Sequence, residues 1–155
     1  MIQRIQTLYL LAATILMAVT LFAPLMSVGT EEGVTILYAY KLVDAQGEVI
    51  FSPWHLALLV ALTALLPFGI IFRYKHRLAQ IRFCIVEMVL LVGMMVMAGF
   101  YCYRLYSLTS GASEIFSTTF HVTLLCPVVA LLASWLASRA IVRDELLVRA
   151  ADRIR

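Results

Sequence analysis

One acid lies inside an apolar run long enough to cross a bilayer. Glu87 falls between Ile81 and Tyr103, about 7–8 Å along a helix from Arg82. A carboxyl in such a run is costly to hold, so it marks an ion or proton site by default. The shallow depth favours a structural role: a neutral acid, or one that reaches Arg139 at the end of the last apolar run. Glu87 and Arg139 are the candidate intramembrane polar site. His55, His121 and Glu114 supply two imidazoles and a carboxylate, donors that suit a metal, but no short motif holds them together. Cys84, Met88, Met94, Met95 and Met97 are soft ligands of the kind that bind Cu(I), yet thioethers in an apolar run serve first as adaptable packing. The three cysteines, Cys84, Cys102 and Cys126, form no CxxC pair, and small buried side chains are the expectation. A Cys102–Cys126 bridge has no pattern in its support. No GxSxG, HExxH or P-loop is present, and each of those chemistries needs its motif. The expectation is a non-enzymatic protein with no catalytic residue, no metal site and no cofactor.

The elements that position these residues follow from hydropathy. The 155 residues are 63% hydrophobic and 14% charged, against about 45–50% and 25% in soluble domains. An interior of this size cannot hide that much apolar surface from water, so lipid is the expected solvent. Four runs stand out, 5–26, 54–72, 81–103 and 118–138. Each is near the ~20 residues that cross ~30 Å of hydrocarbon as a helix, and none alternates as a β-barrel strand would. The first run is too long for an ordinary signal-peptide core of about 7–15 residues, so an uncleaved span is expected despite the small residues at Ser27 and Gly29.

Charge sets the direction. Arg4, Arg73, Lys75, Arg77, Arg82, Arg139, Arg143, Arg149, Arg153 and Arg155 all fall on one side, leaving Lys41 and Arg104 on the other among most of the acids. Basic loops stay in the cytoplasm, so both termini are expected there, in an inner membrane. The net charge of +3 is too small and scattered for nucleic acid. Pro67 and Pro127 lie inside the second and fourth runs, where each is expected to kink its helix. Ala130, Ser134 and Ser138 form a small-residue stripe suited to close helix approach.

Outside the runs, 27–53 predicts a small β-hairpin between the first two helices. Val34–Val43 is rich in β-branched and aromatic residues, Asp44–Gly47 has turn chemistry, and Glu48–Phe51 returns. Such a hairpin is marginal alone and needs the helix ends or a partner beneath it. The tail, 139–155, predicts a cytoplasmic helix with Ile141, Val148, Ala151 and Ile154 on one face and Glu145, Arg149 and Arg153 laddered on another. Arg73, Lys75, Arg77, Arg82, Arg143, Asp144, Glu145, Arg149, Asp152 and Arg153 are the candidate contacts with a partner or with lipid headgroups. The fold class is thus an all-α membrane protein: one four-transmembrane-helix bundle over 1–155, with an extracytoplasmic hairpin and a C-terminal cytoplasmic helix.

Three stretches add a resemblance: MIQRIQTLYLLAA (1–13), YKHRLAQIRFC (74–84) and RAIVRDELLVRAADRIR (139–155). Together they resemble a domain-of-unknown-function family of small four-helix inner-membrane proteins from Bacteroidota, over nearly the whole chain. The tail, with Asp144-Glu145 and Asp152-Arg153-Ile154-Arg155, is the most specific part. The resemblance implies no activity, substrate or cofactor. Four spans with β structure after the first is also the layout of claudin-like bundles, a likeness of fold that does not carry function. The expected role is an accessory or scaffold subunit that touches a protein partner through its ordered tail charges, in the bilayer or as a homo-oligomer. The alternative is a small oligomeric transporter or channel with Glu87 in its path.

Overall fold

The computed structural model describes residues 3–31, 33–72, 77–112 and 114–152, with side chains over 5–31, 33–72, 78–111 and 114–147. Four helices follow the four apolar runs: α1 (Gln3–Phe22), α2 (Trp54–Phe72), α3 (Arg77–Ala112) and α4 (Cys126–Asp152). All four are long and apolar enough to cross a membrane. They form a ring in which α1 packs on α2 and α4, and α3 packs on α2 and α4.

Each helix turns one strip of side chains inward. On α1 it is Gln6, Leu10, Ala13, Met17 and Thr20; on α2 it is Leu56, Val60, Thr63, Pro67 and Ile70. On α3 it runs Gln80, Cys84, Glu87, Leu91, Met94, Ala98, Cys102 and Leu105. These steps of three and four residues keep a seam facing its neighbour when helices cross at a shallow angle. On α4 the strip is built mainly of small residues, Ala130, Ala133, Ser134 and Ala137, which lets backbones approach. The opposite faces carry large exposed apolar side chains, such as Ile15, Leu65, Val89, Val96 and Leu132.

The end of the bundle away from the N-terminus carries more β structure than the sequence predicts. The fold is not all-α. Five antiparallel strands lie in the order β4-β3-β2-β1-β5. Four fall between α1 and α2: β1 (Pro24–Thr30), β2 (Gly33–Tyr38), β3 (Leu42–Val43) and β4 (Val49–Phe51). The fifth, β5 (Ile115–Phe120), lies between α3 and α4. The predicted turn at Asp44–Gly47 is present, closed by Asp44 N–H to Glu48 O and Gly47 N–H to Asp44 O, both 2.9 Å. The predicted strand Val34–Val43 is instead broken after Tyr38, whose N–H bonds Lys41 O at 2.8 Å.

The first run therefore does not remain helical to Met26: α1 stops at Phe22, and Leu25 and Met26 belong to β1. A register shift between Pro24 and Met26 accompanies two consecutive buried residues. Leu25 joins the core of the bundle, and Met26 packs with Val28, Leu37, Leu42, Cys102 and Leu105 beneath the sheet. Such a bulge lets neighbouring strand residues depart from strict alternation. The fourth run is displaced as well. Thr118–Phe120 belong to β5, a single 3-10 turn spans Val122–Leu125, and α4 begins only at Cys126. Pro127 is thus the second residue of α4, where its missing N–H costs no helical bond, rather than the predicted interior kink. Pro67 does sit inside α2. The 36 residues of α3 extend about 54 Å, well beyond one bilayer's hydrocarbon, and its far end supports the sheet.

Gly33 shows how tightly the sheet turns. Its φ is +131°, and a Cβ there would stand 2.6 Å from Ala45 Cβ. A side chain meets both a backbone region reserved for glycine and a direct clash. Gly33→Ala should destabilise the protein by about 1–3 kcal/mol, read as a lowered unfolding temperature in detergent. Unchanged stability would show that this turn is not so constrained.

Candidate functional site

The interior of the bundle holds a layer of polar groups. Glu87 is 0% exposed, and neither carboxylate oxygen has a hydrogen-bond partner. It stands one turn from Cys84 and one from Leu91, which belong to separate apolar clusters. Ser134 takes the corresponding place on α4, between Ala130 and Ala133 of one cluster and Ala137 of the other. Its hydroxyl is also buried without a partner. Thr63 lies at the matching position on α2, its Oγ1 bonded at 3.0 Å to both Leu59 O and Val60 O. Pro67 has no N–H for the Thr63 carbonyl to accept. Glu87 and Ser134 thus bring unpartnered polar groups into an otherwise apolar core, with the paired hydroxyl of Thr63 on a third helix. Buried polar groups are normally paired, so this layer is the strongest candidate site.

Arg139 does not join it. The side chain is exposed, and its guanidinium lies over the Trp135 ring, 4.8 Å from the centroid. The inward positions of α4 are 127, 130, 133, 134, 137, 141 and 144, and 139 falls off that strip. Arg82 is exposed too. Ser138, expected on the small-residue stripe, turns its hydroxyl back to Trp135 O at 2.8 Å; Ala133 and Ala137 take the inward places.

The end of the bundle opposite the sheet holds two polar ties between helices. Gln6 Nε2 donates to Asp144 Oδ2 at 2.6 Å across 138 positions of sequence, joining α1 to α4. Gln80 Nε2 donates to Ile70 O at 3.1 Å, which satisfies a carbonyl in the last turn of α2. Asp144 was expected at a partner or lipid surface; it is instead buried in the bundle, and Ile141 is in the core beside Leu10, Ile70 and Cys84. The first turns of the tail thus belong to the bundle, and α4 continues unbroken through Asp152. On their outer side Arg143 is exposed, as are Leu146 and Leu147, 62% and 57%. Glu145 is half-buried. The predicted contacts Arg73, Lys75 and Arg153 lie outside the described residues, as do the side chains of Arg77, Arg149 and Asp152.

At the sheet end the histidines are apart in role. His121 is tied to β1, its N–H bonding Leu25 O at 3.1 Å and its ring Nε2 meeting Ser27 Oγ at 3.2 Å. His55 stacks on Trp54, ring centroids 3.7 Å apart. Among the described residues no three His, Cys, Asp or Glu side chains come together as a metal site would need. Cys84, Cys102 and Cys126 are all free thiols. The methionines of α3 diverge: Met94 is in the core, and Met95 lines an apolar cavity of about 440 Å³ beside the sheet.

These features sit on a chain that matches the domain of unknown function DUF4293 over residues 2–154. The chain belongs to the DUF4293 family. No curated protein matches it. Family membership fixes the chain's kinship and leaves its activity to be argued from the geometry.

The sequence reading missed Gln6, Gln80 and Thr63, and took Ser134 only as a small packing residue. Their signal is the three-four spacing: each occupies an inward position among apolar or small residues. Asp144→Ala should leave the Gln6 amide buried without its acceptor and lower stability by about 1–3 kcal/mol. The double replacement Gln6→Leu/Asp144→Leu should recover part of that loss. Thermal unfolding in detergent reads both; equal losses in the single and double variants would count against the coupling.

Proposed function

We propose that this DUF4293 chain is an integral inner-membrane protein with both termini cytoplasmic, a non-enzymatic accessory or scaffold subunit that holds a protein partner through the far end of α4. The membrane placement is supported by the four apolar helices and their exposed apolar faces. Arg82 and Arg104 are exposed and lie about 33 Å apart along α3, close to the ~30 Å of a hydrocarbon core. The orientation is supported by the basic residues opposite the sheet, under the rule that keeps Lys and Arg in the cytoplasm.

The observation that carries the partner reading is the exposure of Leu146 and Leu147. They lie on α4 beyond Arg139 and Arg143, past the basic belt that would mark the headgroups. Large apolar side chains exposed beyond that belt suit a protein contact, and they leave the Gln6–Asp144 tie untouched. Crosslinking in native membranes, followed by purification and mass spectrometry, should recover a partner with the full chain and lose it with Leu146→Ser/Leu147→Ser. Unchanged recovery would refute the docking site. This pair is a sharper test than truncation at Ala140, which also removes Ile141 and Asp144 from the bundle.

A second reading, an oligomeric transporter or channel, is favoured by the polar layer at Glu87, Ser134 and Thr63. Four helices enclose too little space for a wide pore, so several copies would share the path. A buried acid with no partner is destabilising, and it persists when function needs it. Glu87→Met should raise the unfolding temperature. If wild-type protein in liposomes carries protons or cations and the stabilised variant does not, Glu87 lies in the path; wild-type liposomes without flux would end this reading.

A further inference from the structure

The 440 Å³ cavity opens on the side of the bundle beneath the sheet. Its walls include Met95, Gly99, Tyr103 and Tyr106 of α3, Phe120 of β5 and Pro127 of α4. The groove is apolar along its length with aromatic hydroxyls at one end, the composition of a ligand pocket in a range of about 300–1,000 Å³.

Its placement identifies the ligand. From Met95 to Tyr106 along α3 is about 16 Å, close to the ~15 Å depth of one hydrocarbon leaflet. Met95 lies about 14 Å from Arg104, near the bilayer centre when Arg82 and Arg104 mark the two surfaces. The groove thus runs from the midplane to the headgroups on the sheet side. Tyr103 and Tyr106 are exposed at its upper end. Tyrosine hydroxyls at headgroup depth can donate to a phosphate. The lower groove offers no polar partner and suits only a hydrocarbon chain.

We infer that this groove is a specific binding site for one phospholipid of the sheet-side leaflet, an acyl chain lying along α3 and the phosphate at Tyr103 and Tyr106. The inference rests on the membrane placement proposed above and is independent of the partner at the tail. The lipid would fill the wedge between α3 and the segment from β5 into α4, where helix packing leaves a gap.

Two glycines of α3 make the test. Gly99 lines the groove, and a Cβ there meets nothing within 4 Å, so a leucine side chain has open space in which to start into the groove. Gly93 is equally open and is not among the groove's lining residues. The full chain and its Gly93→Leu and Gly99→Leu variants are extracted from membranes in mild detergent and weighed intact by native mass spectrometry. Wild type and Gly93→Leu should each retain one phospholipid per chain, and Gly99→Leu should retain at least tenfold less. Retention equal in all three, or none in any, means annular lipid only and overturns the site. A photoactivatable acyl-chain phospholipid gives a second measurement that needs no variant. Crosslinks should gather on Met95–Tyr106 and Phe120–Pro127; crosslinks spread evenly over every apolar face overturn the site. A chain absent from the membrane fraction would overturn the membrane placement along with it, whereas a membrane-bound chain without the lipid overturns this inference alone.

Discussion

The inward strip of side chains on each helix is the constraint on which the rest of this structure depends. With lipid outside, as proposed, burial of apolar surface gives little drive for helix association, because the tails are as apolar as leucine. Close packing and interhelical hydrogen bonds must hold the bundle. The alanines of α4 permit the approach. The bonds from Gln6 to Asp144 and from Gln80 to Ile70 tie the basic end, and the sheet ties the other. Between these two ends lies the layer at Glu87, where polar groups are buried without being matched.

The three regions are separated along the bundle axis. Leu146 and Leu147 stand at the basic end, the Glu87 layer a short way inward from it, and the lipid groove under the sheet. This division explains why one sequence supports several functional readings. Each rests on side chains that the others do not use. α3 passes all three levels, with Arg82, Glu87, Met95 and Tyr106 in succession, and its far end packs beneath the sheet.

Much of this was legible in the sequence, for physical reasons. Long apolar helices leave a strong signal because bilayer thickness sets their length, and the second run, 54–72, coincides with α2. The turn at Asp44–Gly47 declares itself through local chemistry. Strand β1 stayed hidden because Leu25, Met26 and Val28 continue an apolar run without a break that hydropathy detects. Strand β5, Ile-Phe-Ser-Thr-Thr-Phe, has no inward-outward alternation, since five of its six residues are exposed. Its existence depends on a partner strand far away in the chain. Pairings in the core were equally opaque. Glu87 was picked out by its type, but its neighbours depend on the rotation of α4, which places Ser134 inward and Arg139 outward. Asp144 looked like surface charge because nothing nearby in sequence announces Gln6.

The position of β5 in the sheet has a consequence for biosynthesis. Ser27 and His121, joined at 3.2 Å, are 94 residues apart, so β1 waits for its second neighbour until most of the chain has left the ribosome. Helices that enter the membrane in turn can pair early with their neighbours, since those contacts are local. In the proposed membrane placement, the sheet cannot close until α3 has crossed and the strand after it has arrived on the same side. Through that interval the outer edge of β1, from Met26 to Thr30, is an open template of unpaired backbone groups, the kind of edge that recruits other chains. The connection from α3 to α4 therefore acts as the latch of the fold, and the nascent protein is most vulnerable to mispairing until it arrives.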